Sequence, residues 1–245
     1  MIIAQISDIH AAPENDNLTR LECALAWLDS VKPDVLVITG DLTDNDWRDG
    51  YTKISACLNS RTYPKFILPG NSDNRRVMRS VLHNDLNADG EGDQAMHFVA
   101  DMGEIRLIGL DATIPGASAA SAGEHIPWLE KALSAKGNTA SMLFMHHHVF
   151  PSGIPPLDDI MCGDAQKLGA FLRQNPQRPL AIATGHVHRP VAGTLAGIPA
   201  YICGSICPAN PLWFGTVSVP PANDPPALMV HRFIDGSVVS HHVSL

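Results

Sequence analysis

Short apolar runs that end directly in clusters of polar residues are the feature that most constrains the fold of this chain. Six such runs, rich in β-branched residues and leucine, occupy residues 2–6, 35–38, 66–68, 105–110, 142–145 and 180–183. Continuous apolar runs of this length are typical of strands that are buried on both faces of a sheet covered by helices. We therefore expect an α/β protein whose polar clusters gather at the carboxyl ends of the strands.

The segments between these runs carry apolar residues at helical spacing. Four stripes predict the buried faces of helices: Leu18, Leu21, Leu25 and Leu28; Trp47, Tyr51, Ile54 and Leu58; Ile126, Leu129 and Leu133; and Leu168, Phe171 and Leu172. Pro33 and Pro64 follow two of these stripes, where a helix is expected to have ended.

The pattern changes after residue 190. Apolar runs at residues 191–195, 198–202, 228–233 and 238–243 predict successive strands, and Asp235-Gly236 is a strong hairpin signal between the last two. The prolines between residues 220 and 226 predict an irregular loop. We interpret residues 1–245 as a single domain in which residues 190–245 form antiparallel strands that complete a second sheet.

Charge and composition limit the class of ligand and the cellular location that we expect. Seventeen Lys and Arg residues against 25 Asp and Glu give a formal charge of -8, which repels a polyanion, so we expect no nucleic-acid polymer as partner. No apolar run approaches the ~18 residues of a membrane span, and no signal peptide is visible. The five cysteines include no CxxC pair and are expected to be free thiols. A cytoplasmic protein without a membrane partner is therefore expected.

Five polar clusters supply residue types that bind metal ions. In chain order they are Asp8-Ile9-His10, Gly40-Asp41, Gly70-Asn71-Ser72-Asp73, His146-His147-His148 and Gly185-His186-Val187-His188. Imidazole with carboxylate suits Zn, Fe or Mn, and two neighbouring ions need a carboxylate able to bridge them. A glycine beside the donor permits close approach of the backbone. Each motif alone could be a turn or a solvated loop, but all five in this order, each after a strand, indicate a two-metal site.

This ordered set resembles the calcineurin-like metallophosphoesterase superfamily over residues 2–206. Residues 107–111, 128–130, 143–147, 185–189, 197–199 and 204–205 further resemble the bacterial class III cyclic-nucleotide phosphodiesterases and their glycerophosphodiesterase relatives. The resemblance implies an α/β fold in the form of a four-layer αββα sandwich, with two mixed β-sheets flanked by helices. It also implies two divalent metal ions (Fe, Mn or Zn) above the strand ends.

The same resemblance implies seven metal ligands in this chain. The first ion would be held by Asp8, His10 and His188, the second by Asn71, His146 and His186, and Asp41 would bridge the two. The family motif continues His-His-Pro-Pro, whereas this chain reads His146-His147-His148-Val149. His146 is chosen as the ligand because the first histidine of the related motif has that role.

Ser72 departs from the family motif Gly-Asn-His-Asp. The family's histidine is thought to act as general acid or to steady the transferring phosphoryl group, and a serine hydroxyl has too high a pKa for proton donation near neutrality. Three explanations stay open: a leaving group that needs little protonation, proton donation by His147, or donation by a metal-bound water.

Three further residues are candidates for supporting roles in the site. Asp73 would orient a ligand or cap the helix that follows. Arg75 would contact a substrate phosphate or lie on the surface. Asp111, at a strand end, would hydrogen-bond a ligand histidine.

The expected function is a dimetal-dependent phosphodiesterase that hydrolyses a small phosphodiester by in-line attack of a metal-bridging hydroxide. A cyclic nucleotide is the first candidate substrate, followed by a glycerophosphodiester or 2′,3′-cyclic nucleotide, and then by a phosphomonoester at the same site. The alternative of another class is a non-catalytic scaffold that binds phosphodiesters or protein partners. A scaffold would be expected to lose ligands first, and all seven are present. Homodimers are common in the resembling subgroup, so a homodimer is a further expectation.

Overall fold

A computed structural model describes residues 1–82, 91–134, 140–216 and 218–245. The first half of the chain forms β1 (Ile2–Ile6), α1 (Asn17–Val31), β2 (Val35–Thr39), α2 (Arg48–Asn59), β3 (Lys65–Leu68), α3 (Arg75–Leu82), β4 (Phe98–Met102) and β5 (Ile105–Gly109). The second half forms α4 (Ile126–Ser134), β6 (Ala140–Phe144), α5 (Pro155–Asp158), α6 (Ala165–Gln174), β7 (Ala181–Thr184), β8 (Val191–Leu195), β9 (Ile198–Ile202), β10 (Ala227–Ile234) and β11 (Ser237–Ser244).

These strands form two mixed sheets. The five-stranded sheet has the order β11-β10-β1-β2-β3, and β1, β2 and β3 are parallel. The six-stranded sheet has the order β4-β5-β6-β7-β9-β8, with β5, β6, β7 and β9 parallel and antiparallel strands at both edges. Parallel central strands therefore place the carboxyl ends of β1, β2, β3, β6 and β7 where loops can converge.

Buried side chains divide the molecule into four layers. Val35 and Val37 of β2 pack in a core between the two sheets, whereas Leu36 and Ile38 face the other way, into a core shared with α1 and α2. The six-stranded sheet packs against α4 and α6 through a third core. All five residues of β2 are buried, because both faces of the strand are covered. The predicted fold of two mixed sheets flanked by helices is confirmed.

The C-terminal strands are divided between the sheets, which corrects the expectation that residues 190–245 complete a single second sheet. The β8–β9 hairpin extends the six-stranded sheet beside β7, but β10 pairs with β1, and β11 pairs with β10. This division satisfies the backbone groups at the open edge of β1, which would otherwise lack partners. Asp235 and Gly236 form the predicted turn, and both have positive φ, as a two-residue hairpin requires.

Strand β4 was not predicted from the sequence. Its burial alternates between buried and exposed residues, because it lies at the edge of the six-stranded sheet. Such a strand has no continuous apolar run.

Among the described helices, none combines the length and the apolar character needed to cross a membrane.

Candidate metal centre

The polar clusters converge because each follows a strand end at nearly the same distance. Asp8, Asp41, His146 and His186 are each the second residue after β1, β2, β6 and β7, respectively, and Asn71 is the third residue after β3. Backbone hydrogen bonds join the loops: the Asp8 amide donates to the Gly40 carbonyl (3.0 Å), and the Gly185 amide donates to the His146 carbonyl (2.8 Å). All seven candidate ligands predicted from the sequence are brought together.

One group of donors combines Asp8, His10, Asp41 and His188. One ligand atom from each of these residues lies within 4.8 Å of the others. His10 Nε2 is 3.1 Å from both Asp41 Oδ2 and His188 Nε2, and His188 Nε2 is 3.4 Å from Asp8 Oδ1. Two carboxylates and two imidazoles that present nitrogen and oxygen lone pairs to one point are a donor set suited to a divalent cation.

A second group surrounds His146. Its Nε2 atom is 3.1 Å from Asn71 Oδ1, 3.2 Å from His186 Nδ1 and 3.4 Å from Asp41 Oδ2. Asp41 Oδ2 therefore contacts a histidine of each group, since it also lies 3.1 Å from His10. A single carboxylate thus stands between two donor sets.

Three of the histidines in these groups have a fixed partner on the ring nitrogen that faces away. His10 Nδ1 lies 2.7 Å from Asp44 Oδ1, and His146 Nδ1 donates to the Thr39 carbonyl at 2.6 Å. His188 Nδ1 lies 3.3 Å from Cys207 Sγ. Such partners orient a ligand histidine and set which nitrogen is free for the metal. Sequence reasoning did not identify Asp44 or Cys207, although Asp44 is three residues after Asp41 in the same loop.

Electrostatics in this centre favour charged carboxylates and a neutral His186, whereas the carboxylates outweigh burial at two other rings and raise the pKa of His10 to about 12 and that of His146 to about 9. Burial opposes the ionisation of Asp41, but His146 and His10 outweigh it and hold the pKa of this carboxyl well below its ordinary value. Burial, assisted by His146, lowers the pKa of His186. Deprotonated ligands are the form that binds metal ions. The Nδ1 atom of His186 faces His146, and its Nε2 atom is buried without a hydrogen-bond partner among the described residues.

The backbone is strained at most of these ligands. Asp8, His10, Asp41, His186 and His188 have φ between 47° and 73°, in the left-handed region that non-glycine residues seldom adopt. Strain of this kind persists at functional sites, where the surrounding structure imposes it. The sequence analysis did not predict these positive φ angles.

The glycines beside the ligands allow the loops to approach closely, as predicted. A Cβ atom on Gly40, whose φ is +89°, would lie 2.4 Å from the Gly70 amide nitrogen. A Cβ atom on Gly185 would lie 1.9 Å from Ser7 Oγ. Any larger residue would push apart the loops that carry Asp41, Asn71 and Asp8.

Asp73 holds ligand loops together, and it does not cap α3. Its carboxylate accepts hydrogen bonds from the Gly70 amide (2.8 Å), the Leu42 amide (3.0 Å) and the Tyr51 hydroxyl (2.8 Å). The Asn74 side chain accepts from the amides of residues 76 and 77, so Asn74 caps the helix. Of the two predicted roles, orientation of the ligand loops has structural support.

Ser72 and His147 both lie beside the second donor group, and ligand atoms of His147, His146 and His186 lie within 4.8 Å of one another. The Ser72 amide donates to Asp41 Oδ1 at 2.8 Å, and its hydroxyl is buried without a hydrogen-bond partner in the described part of the chain. His147 Nε2 donates to the Ser118 carbonyl at 2.9 Å. Burial and the neighbouring His146 lower the pKa of His147 to about 3, so its ring is neutral here. This neutrality does not favour His147 as the proton donor.

Arg75 does not lie on the surface, which corrects one of its two predicted roles; contact with a phosphate stays a prediction, and the guanidinium is already engaged by protein groups. Only 8% of the residue is exposed. Its guanidinium is 2.8 and 2.9 Å from the two carboxylate oxygens of Asp111 and donates to the carbonyls of Thr113 and Asp93. Asp111 in turn pairs with Arg75 and accepts from the Met96 amide, so it does not support a ligand histidine as expected. A charged pair this buried is retained because both charges are satisfied.

A cleft of about 260 Å³ opens beside the second donor group. Asn71, Ser72 and Asn74 line one side, and residues 113–116 line the other. Three aspartates, Asp46, Asp73 and Asp93, also line it. The Arg75–Asp111 pair fixes the start of α3 against the loop that forms the far wall.

Loops at the carboxyl ends of a two-sheet sandwich that carry two His/Asp donor groups around a shared carboxylate define a metal-binding protein of the phosphoesterase class. This chain belongs to the calcineurin-like phosphoesterase family, whose family model matches residues 1–190.

Curated relatives and solved structures are consistent with this membership. Glycerophosphodiester phosphodiesterase GpdQ of Enterobacter lignolyticus is 26% identical over 100% of this chain and 91% of its own length. A probable cyclic nucleotide phosphodiesterase of Rhodococcus erythropolis is 29% identical over 84% of this chain and 70% of its own length. The fold is similar to that of a dimetal phosphatase from Danio rerio, with a TM-score of 0.71 and 16% identity over 100% of this chain and 98% of the other.

Proposed function

We propose that this protein is a metal-dependent phosphodiesterase that binds two divalent ions, of Fe, Mn or Zn, and hydrolyses a small phosphodiester. The observation that carries the proposal is the position of Asp41 Oδ2, which lies 3.1 Å from His10 Nε2 and 3.4 Å from His146 Nε2. One carboxylate oxygen between two histidine-containing donor sets is the arrangement that a pair of ions requires.

Each group in the centre has a role under this proposal. Asp8, His10 and His188 would hold one ion, Asn71, His146 and His186 the other, and Asp41 would bridge them. Bound ions would neutralise phosphoryl charge and lower the pKa of water, so that a nucleophile is available at neutral pH. Asp73 accepts hydrogen bonds from both the loop of Asp41 and the loop of Asn71 and so holds the two loops together. The backbone amide of Ser72 donates a hydrogen bond to the Asp41 carboxylate.

The charge of the cleft favours a substrate with one phosphate group. Arg75 is its basic lining residue, and its guanidinium is engaged by Asp111, while Asp46 contributes negative charge and Asp93 is paired with Arg76. A second phosphate would meet these carboxylates without a free cation among the lining residues. A cyclic nucleotide or a glycerophosphodiester each carries one phosphodiester charge, and the names of the relatives include both. We place the cyclic nucleotide first and the glycerophosphodiester second, ahead of a phosphomonoester or nucleic acid. A homodimer and a cytoplasmic location stay predictions.

Metal-dependent hydrolysis is the expected result with purified protein. After chelation and reloading with Mn²⁺, the protein should hydrolyse bis(p-nitrophenyl) phosphate faster than p-nitrophenyl phosphate. A panel of 3′,5′-cyclic AMP, 2′,3′-cyclic AMP and glycerophosphocholine then ranks the natural substrate classes. If two bound ions are measured and none of these diesters is cleaved, the binding scaffold replaces the enzyme as the better explanation.

Ser72→His is expected to raise turnover of an unactivated diester more than that of an aryl diester. The cleft beside Ser72 gives the imidazole room, and an acid at this position would protonate a poor leaving group, an effect worth about 10²-fold or more. A p-nitrophenolate leaves readily without a proton, so its rate should change little. The measurement is kcat/KM for cyclic AMP and for bis(p-nitrophenyl) phosphate.

Ser72→Ala serves as the matched control, because it removes the hydroxyl without adding an acid. Equal changes on both substrates in the histidine variant would mean that leaving-group protonation is not what the serine lacks. In that case a metal-bound water or His147 would be favoured as the proton donor of the unaltered protein.

A further inference from the structure

Cys207 lies next to the first donor group, where hydrogen bonds fix its position. It follows β9, is 5% exposed, and its amide donates to the Asp8 carbonyl at 2.9 Å. The loop beyond it is held as well, because the Asn210 side chain donates to the Val187 carbonyl (3.1 Å) and Arg189 donates to the Asn210 carbonyl (2.6 Å). The sulfur is therefore fixed against the turn that carries His188, at 3.3 Å from its Nδ1 atom.

The sulfur contacts the side of the His188 ring that faces away from the other ligands. Ligand atoms of His10, His188 and Cys207 lie within 4.8 Å of one another, so the thiol could be taken for a metal ligand. His188, however, presents Nε2 to His10 Nε2 (3.1 Å) and to Asp8 Oδ1 (3.4 Å). The two nitrogens of an imidazole point in widely different directions, so an ion held at Nε2 does not lie on the Nδ1 side, where the sulfur is.

Hydrogen-bond chemistry then fixes the roles of the two groups. A lone pair on Nε2 requires the ring proton on Nδ1, which donates to Cys207 Sγ. The thiol proton has its own acceptor in the Pro208 carbonyl, 3.6 Å from the sulfur. Two hydrogen bonds thus follow one another, from the ring N–H to the sulfur and from the S–H to a backbone oxygen.

The hydrogen-bond acceptor at Nδ1 of His188 is weaker than the acceptors at Nδ1 of His10 and His146. His10 has a carboxylate at 2.7 Å and His146 a backbone carbonyl at 2.6 Å, whereas His188 has a sulfur, which is a weak acceptor. A strong acceptor raises the basicity of the ligand nitrogen, and a weak one raises it less.

We propose that Cys207 is a positioning residue for His188: it holds the ring in the tautomer and orientation that present Nε2 to the first ion, and it leaves His188 a weaker donor than His10. The proposal rests on the two-ion site proposed above. It assigns to the thiol a role in ion binding without direct contact with the ion.

Binding of Co²⁺ to the chelator-treated protein tests this role by titration and visible absorption, without reference to activity. Cys207→Ala should weaken one of two bound Co²⁺ ions by about 10- to 100-fold and change its d–d spectrum, the usual consequence of losing such a partner. Cys207→Ser, which restores an acceptor, should recover most of the affinity. Cys203→Ala is the matched control, since it removes a buried thiol whose partner is the Gln5 carbonyl and no histidine.

Three results would overturn the assignment. The first is equal Co²⁺ affinity in Cys207→Ala and Cys203→Ala, and the second is a serine variant as weak as the alanine variant. The third is an intense thiolate-to-Co²⁺ charge-transfer band in the unaltered protein, which would make Cys207 a ligand. Unaltered protein that binds fewer than two ions would instead contradict the proposed function. Thermal unfolding of the metal-free variants separates loss of folding from loss of binding.

Discussion

Asp41→Asn is expected to reduce phosphodiester hydrolysis by about 10³-fold or more, because it removes the charge that the two donor groups share. Asp41 Oδ2 contacts His10 and His146, and no other carboxylate in the described part of the chain pairs with both histidines. An amide is neutral and presents one oxygen, so it bridges two cations poorly. The variant should also retain fewer than two tightly bound ions per chain.

The measurements are metal content per chain after dialysis and kcat for bis(p-nitrophenyl) phosphate in added Mn²⁺. Asp235→Asn is a matched control, since Asp41 and Asp235 have φ of 54° and 47° and asparagine accepts this backbone conformation readily. Asp235 lies in the β10–β11 turn, outside the centre. Two retained ions and near-normal kcat in Asp41→Asn would remove the basis for a bridging carboxylate.

Gly40→Ala is expected to destabilise the metal-free protein by about 3 kcal/mol, the sum of a left-handed alanine and a steric overlap. The overlap falls on backbone atoms, with the new Cβ atom 2.4 Å from Gly70 N and 2.7 Å from Gly70 Cα, so no side-chain rotation relieves it. Separation of these loops would also move Asp41 away from Asn71. In a chain of this size, the melting temperature should fall by about 6–12 °C.

Gly236→Ala separates the two contributions. Gly236 has φ of +75°, close to the +89° of Gly40, but a Cβ atom there meets nothing within 4 Å. The control therefore carries the conformational strain without the overlap, and it should lower the melting temperature by a smaller amount. Equal shifts in calorimetry of the two chelated variants would show that the close approach of the loops at residues 40 and 70 is unimportant.

The residue types and their order were sufficient to predict which side chains the fold brings together as candidate metal ligands. The apolar run of β2 and the Gly40-Asp41 pair after it are adjacent in the chain, and so are the corresponding parts of the other four motifs. Parallel strands end at a common edge, so ligands placed just after strands are brought together by the fold class itself. The same reasoning fails for β4, because the alternating burial of an edge strand resembles ordinary polar sequence.

Partners that are distant in sequence were decided only by the tertiary structure. The sequence around Arg75 does not reveal that Asp111, 36 residues later, neutralises it, and Cys207 approaches His188 only because β9 lies beside β7. The tail could extend either sheet, since its apolar pattern suits both, and the open edge of β1 determined where β10 pairs. The sequence by itself thus determined which atoms are available to bind metal ions, through local chemistry and strand order. The tertiary structure decided the left-handed backbone, the orienting partners and the charge left free in the cleft, because these depend on contacts between distant segments.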